Sequence, residues 1–237
     1  MVTMAILLLL LLSMVDGATR LWRTNETRAE AYREARAAIG VISRDLQNLA
    51  ATTNRAHFLW RSEALARLAT TDGASTGSAV FFLSRLPPKA QDPASNRSEI
   101  CQVGYFLAFR GTPASTSPTL NLYRYFRSSD PTFAAVASGT GLFADAASDA
   151  EATELLARHV TGFSLQAFTA TNGSLVDFTP SGATPTPDLI GIEISAISQE
   201  TAAKLAPELG SWTNTNSPVI APVVQTFTTH VRLPRPL

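Results

Sequence analysis

The sequence predicts an α+β fold in which one long N-terminal helix packs on an antiparallel β-sheet. Three observations lead there. An apolar run from Val2 to Val15 passes through Asp16 and Gly17 directly into a charged segment with helical periodicity that reaches about Arg55. Beyond Thr70 the apolar period falls from three-to-four to two, over short segments bounded by Pro, Gly, Ser and Asn, as strands require. Short turns such as Thr171-Asn172-Gly173 join two of these segments and favour antiparallel neighbours.

The apolar run comes first. It falls short of the roughly 17–25 residues that span a bilayer, and as a signal peptide it lacks both a basic flank and a small-residue cleavage site. Val2, Ile6, Leu9, Leu12 and Val15 are its candidate membrane and assembly residues. Arg20 and Arg23 follow the run while no basic residue precedes it, which by the positive-inside rule would hold the body of the chain in the cytoplasm. An upstream start removes that conflict: about six further residues bring the run to ~20, and a basic leader restores the charge asymmetry.

The second part of the helix is amphipathic. Ala31, Ala35, Ala38, Ile39, Ile42, Leu46 and Leu49 recur at spacings of three and four and gather on one stripe. Arg28, Glu30, Arg33, Glu34, Arg36, Arg44 and Asp45 mostly avoid it. Ala35, Ile39, Ile42, Leu46 and Leu49 are therefore expected to contact a sheet. Thr24 or Asn25 opens a local helix-start signal, so a bend there or near Gly17 is expected. A helical hairpin with Glu63 to Leu68 also accounts for the stripe, but not for its continuity with the apolar run.

Expected strands are Ala79–Leu83, Cys101–Phe109, Leu120–Phe126, Phe163–Phe168, Leu175–Phe178, Leu189–Ser195 and Val223–Leu233. Tyr105/Leu107/Phe109, Leu122/Arg124/Phe126 and Ile190/Ile192/Ile194 each present one face to a core. The connections at 84–99, 111–118, 128–147 and 206–222 read as surface loops and as the places for partner contacts. Two short helices are expected among the strands. One runs from a cap at Ser148 or Asp149 to about Arg158, and the other covers Gln199 to Leu205 behind Ser198.

Charge and motifs narrow the function classes. The 237 residues carry 19 basic and 19 acidic side chains. No clustered basic face suggests nucleic acid. Asp145, Asp149 and Glu151 form the one local acidic cluster and are the weak candidates for a calcium site, although beside a helix start such acids more often cap. His57, His159 and His230 are scattered, without zinc spacing. No Gly-x-Ser-x-Gly elbow or phosphate loop is present, so no catalytic residue, cofactor or metal is expected. Cys101 sits in an apolar strand pattern and reads as a buried structural thiol.

Several phrases together carry a resemblance. The run Val2–Val15 looks like the apolar portion of a type IV pilin-like N-terminal helix. Its continuation RAEAYREARAAIGVISRDLQNLA, with Ser43-Arg44-Asp45-Leu46, resembles the helix of J-type minor pseudopilins of type II secretion. CQVGYFLAF (Cys101–Phe109), LNLYRYF (Leu120–Phe126), ELLARHVTGFSLQAF (Glu154–Phe168) and VVQTFTTHVRLP (Val223–Pro234) follow in that family's order. The chain is similar also to the pilin-like Verru_Chthon cassette protein C group. One departure stands out: the family's prepilin cleavage motif is absent, because Met1 falls at what would be the seventh residue of the processed helix.

The resemblance implies a pilin-like fold divided into residues 1–23, the membrane-embedded part of the helix, and residues 24–237, a periplasmic globular domain that includes the helix's amphipathic half. It implies an N-terminally truncated prepilin, a single-pass inner-membrane subunit of a filament that serves protein transport, acting in assembly or at the tip. Its partners would be other minor pseudopilins or pilin-like proteins, the inner membrane and a secreted substrate. The alternative from another class is a membrane-anchored periplasmic hydrolase or binding protein.

Overall fold

A computed structural model describes residues 2–50, 58–60, 79–86, 98–112, 115–138, 142–143, 153–171, 174–178 and 186–234. They form a mixed α+β structure whose strand pairs are all antiparallel. Helix α1 covers Val2–Gln47, running through Gly17, Thr24 and Asn25 as one element. It stops short of Arg55 because the chain is captured by a strand. The Ala50 N–H donates to the carbonyl of Leu83 (2.8 Å) and the Arg85 N–H to that of Asn48 (2.7 Å), so residues 48–50 bridge to the sheet instead of continuing the helix.

The strands divide into two sheets rather than the single sheet expected. The first has the order β1 (Phe58–Trp60), β2 (Val80–Arg85), β3 (Ile100–Thr112), β4 (Ser115–Arg127) and β5 (Thr153–Ala157). Helix α2 (Ser129–Ser138) follows β4 in sequence. The second sheet has the order β7 (Ser174–Asp177), β6 (Val160–Thr171), β8 (Leu189–Ala196) and β9 (Gln225–Arg232). Between β8 and β9 lie two short helices, α3 (Gln199–Ala202) and α4 (Leu209–Thr213).

One core joins α1 to facing surfaces of both sheets: Ala35, Ala38, Ile42 and Leu46 from the helix, Phe82, Val103, Tyr105, Leu107 and Leu122 from the first sheet, and Phe163, Leu165, Ile190, Ile192 and Ile194 from the second. A second core lies on the opposite face of the first sheet, with Phe81, Phe106, Tyr123 and Tyr125 packed under Leu142 and Phe143. Burial on both faces explains why β2 reads Val-Phe-Phe-Leu without alternation.

The expected helix from Ser148 or Asp149 to Arg158 is not formed. Thr153–Ala157 is strand β5, paired to β4 through Leu122↔Ala157, Tyr123↔Leu155 and Arg124↔Glu154. Local helix preference is worth only tenths of a kcal/mol per residue, and an open strand edge offering backbone partners and an ion pair outweighs it. The 111–118 connection is largely strand, since β3 and β4 extend to Thr112 and Ser115 around a bulge at Arg110/Thr112. Helices α2 and α4 occupy parts of the 128–147 and 206–222 connections. At α3 the expected cap forms, with the Ser198 hydroxyl accepting from the Thr201 N–H at 3.3 Å, although the helix ends at Ala202 rather than Leu205. The hairpin segment Glu63 to Leu68 lies outside the described residues.

Candidate functional site

Helix α1 has two environments along its length. Residues 11–19 are all exposed, as are Trp22, Asn25 and Glu26. Leu12 is 63% and Val15 62% exposed; the side chains of Val2, Ile6 and Leu9 lie outside the described residues. Three turns later the same helix is firmly docked. Ala35, Ile42 and Leu46 are fully buried, Leu49 nearly so, and Ile39 is half-buried against the core. Tyr32 meets the Phe227 ring of β9 at 5.7 Å, and the Arg36 guanidinium lies over that ring at 5.6 Å. The Glu34 carboxylate accepts the Arg158 N–H at 2.9 Å. Among the described residues no helix is long and apolar enough to cross a membrane.

The docked end is secured by a buried polar group that the charge pattern alone groups with the side chains avoiding the stripe. Asp45 is 3% exposed. Its Oδ2 accepts from Arg124 Nε (2.9 Å) and Nη2 (2.7 Å) on β4, and from the Tyr105 hydroxyl on β3. Arg124 also stands 3.6 Å from the Glu154 carboxylate and 4.9 Å over the Phe126 ring. Burial, and then the charge of Asp45, push the Tyr105 phenol well above its usual range, so it stays protonated and donates. Beside it the Ser84 hydroxyl donates to the carbonyl of Asp45 at 3.1 Å. One helix carboxylate thus ties α1 to two strands, and a hydroxyl from β2 ties it to a third.

Cys101 lies in the same layer. Its thiol donates to the carbonyl of Ser84 (3.3 Å), and burial, followed by the Asp45 charge, pushes it up to about 12. Such a thiol is no nucleophile near neutral pH.

The two described histidines are apart. His230 is exposed on β9 opposite Gly191, whereas His159 makes the β5–β6 turn with φ 54° and stacks on Trp212 at 6.2 Å. Its N–H donates to Asn121 Oδ1 (3.1 Å). His57 lies outside the described residues, as do Asp145, Asp149 and Glu151. Among the described residues no three His, Cys, Asp or Glu side chains are grouped to hold a metal ion.

Burial lowers the His159 pKa from the ordinary 6.5, against the raising influence of Glu34. Below that value the unfolded chain binds a proton that the folded chain resists, so stability is full above the ordinary histidine range and is lost as pH falls through it. Denaturant unfolding across this range should show that loss. His159→Asn, which tolerates the left-handed backbone but does not titrate, should flatten the curve there; an unchanged slope in the variant would assign the dependence to other groups.

No family model, no curated protein and no solved structure matches this chain.

Proposed function

We propose that this chain is a minor pseudopilin or pilin-like subunit of a type II secretion or type IV pilus-like filament, acting in its assembly or at its tip. The supporting observation is the contrast along α1. One face of its last turns is buried on antiparallel sheets, while every residue from 11 to 19 is exposed, Leu11, Leu12, Met14 and Val15 among them. Apolar surface of that extent on a folded chain marks an interaction site. In this reading the fold is pilin-like, residues 1–23 embed in the inner membrane, and the globular remainder faces the periplasm. Neighbouring subunits pack against the helix, and the chain turns over no substrate.

The full chain in detergent micelles, tested by pull-down and calorimetry against pilin-like proteins encoded beside it, should bind at least one of them specifically. Leu9→Arg, near the middle of the apolar run, should abolish incorporation into the assembly, because a charged residue at the centre of an inserted helix costs ~2.5–3.5 kcal/mol. Failure to bind any co-encoded pilin-like protein would overturn the reading. A reproducible hydrolase activity lost in His159→Asn would replace it with the enzyme alternative.

A further inference from the structure

We infer that Trp22 is an interfacial anchor that sets the depth of α1 at an anionic phospholipid surface; the inference rests on the membrane reading above. Nine consecutive helical residues, 11–19, are all exposed. At ~3.6 residues per turn they cover the whole circumference of the helix. Leu11, Leu12, Met14 and Val15 fall within about 160° of that circumference, with Trp22 on the same side and Ser13, Asp16 and Gly17 on the other, so the exposed helix offers one broad apolar face of the kind that meets lipid. Leu11, Leu12, Met14 and Val15 are 59%, 63%, 72% and 62% exposed, and beyond them Trp22 is 74% exposed, the most exposed large apolar side chain among the described residues.

The spacing fits the boundary of a bilayer. Trp22 lies seven residues past Val15, about 10 Å along the axis, and side chains lean back toward the helix N-terminus, which brings the indole nearer the apolar run. The polar layer on each side of the hydrocarbon is ~5–7 Å thick; the length and backward lean of the side chain take up the remaining few ångströms, which sets the ring toward the acyl chains and the N–H among headgroups, as in interfacial tryptophans. Between the two, the Thr19 hydroxyl donates to the carbonyl of Val15 at 2.8 Å, a bond that satisfies it without water. An open hollow of about 370 Å³ beside the indole, lined by Ala18, Thr19, Trp22 and Glu26, gives room for the upper part of a lipid. Arginines at positions 20 and 23 flank Trp22, one turn apart, and suit anionic phosphate.

The test uses the full chain with vesicles of phosphatidylcholine mixed with phosphatidylglycerol, or of phosphatidylcholine alone. Emission is read as the difference between the protein and Trp22→Phe, so that Trp60 and Trp212 cancel. The expected result is a blue shift on binding, with stronger quenching by a headgroup-labelled lipid than by one labelled deep in the acyl chain. Arg20→Gln with Arg23→Gln should weaken binding to the phosphatidylglycerol vesicles by about 5-fold per arginine and leave phosphatidylcholine binding unchanged. A chain that binds vesicles while Trp22 emits as in water, or is quenched mainly from the deep position, overturns the anchor and leaves the membrane reading standing. Equal losses on both vesicle types overturn the anionic preference, and no vesicle binding at all overturns both readings.

Discussion

Asp45→Ala is expected to destabilise the fold by about 3 kcal/mol, seen as a lowered urea midpoint with an unchanged m value. The substitution removes the acceptor of three hydrogen bonds at once, two from Arg124 and one from Tyr105. It leaves a guanidinium and a phenol facing the helix without their buried acceptor. Removing one member of a fully buried pair costs ~3–5 kcal/mol. Here the lower end applies, because the Arg124 side chain keeps 15% of its surface and has the exposed Glu154 carboxylate nearby. Most of that cost is the orphaned guanidinium, not a large net attraction in the intact pair. The triple variant Asp45→Leu, Arg124→Met, Tyr105→Phe should therefore recover most of the loss, since an apolar set of similar volume has no desolvated charge to compensate. A single variant within ~0.5 kcal/mol of the parent would place the pair among surface bridges that contribute little.

How much of this arrangement was legible follows from where each signal sits. The spacing of Ala35, Ala38, Ile42 and Leu46 is a local property of one helix, and those residues are fully buried. The charge pattern groups Asp45 with the solvent-facing side chains, yet it lies three residues after Ile42 and seven after Ala38, at the edge of the same stripe. The signal that could have corrected it was elsewhere: Arg124 stands between Leu122 and Phe126 on a core-facing alternation, and an arginine in that position needs a buried carboxylate. Which carboxylate supplies it is a question of tertiary register that periodicity does not contain. The same limit misassigned Thr153–Ala157, whose Glu-Leu-Leu-Ala suits a helix until the edge of β4 is present to pair with it. Helix α2 was hidden for a different reason. Its buried anchors are Ser129 and Thr132 rather than an apolar stripe, and Phe133 and Val136 point outward. In the apolar run, the exposure of Leu12 and Val15 is a property of the folded chain that composition does not contain.

Gly104→Ala is expected to cost about 3 kcal/mol, at or beyond the upper end of ordinary overpacking. Gly104 is in the middle of β3, opposite Phe81 on one side and Tyr125 on the other. A β-carbon there would stand 2.0 Å from Phe81 Cδ1 and 2.3 Å from Cε1, well inside contact distance. The ring covers the glycine and has nowhere to retreat. Phe106, Tyr125 and Phe143 surround it with centroids at 6.2, 5.9 and 5.6 Å, and it is fully buried. Relief must come either from displacing that cluster or from separating β2 from β3, and the second loosens the ladder on which Asp45 and Ser84 hold the helix. Because the clash is with one ring, it should be strongly coupled to it: Phe81→Leu alone should destabilise by the usual loss of packing, but together with Gly104→Ala it should cost clearly less than the sum of the two. Additivity within ~0.5 kcal/mol, or a Gly104→Ala effect under ~1 kcal/mol, would mean that the ring moves aside freely. The approach of Phe81 to the β3 backbone would then be incidental to the stability of the first sheet.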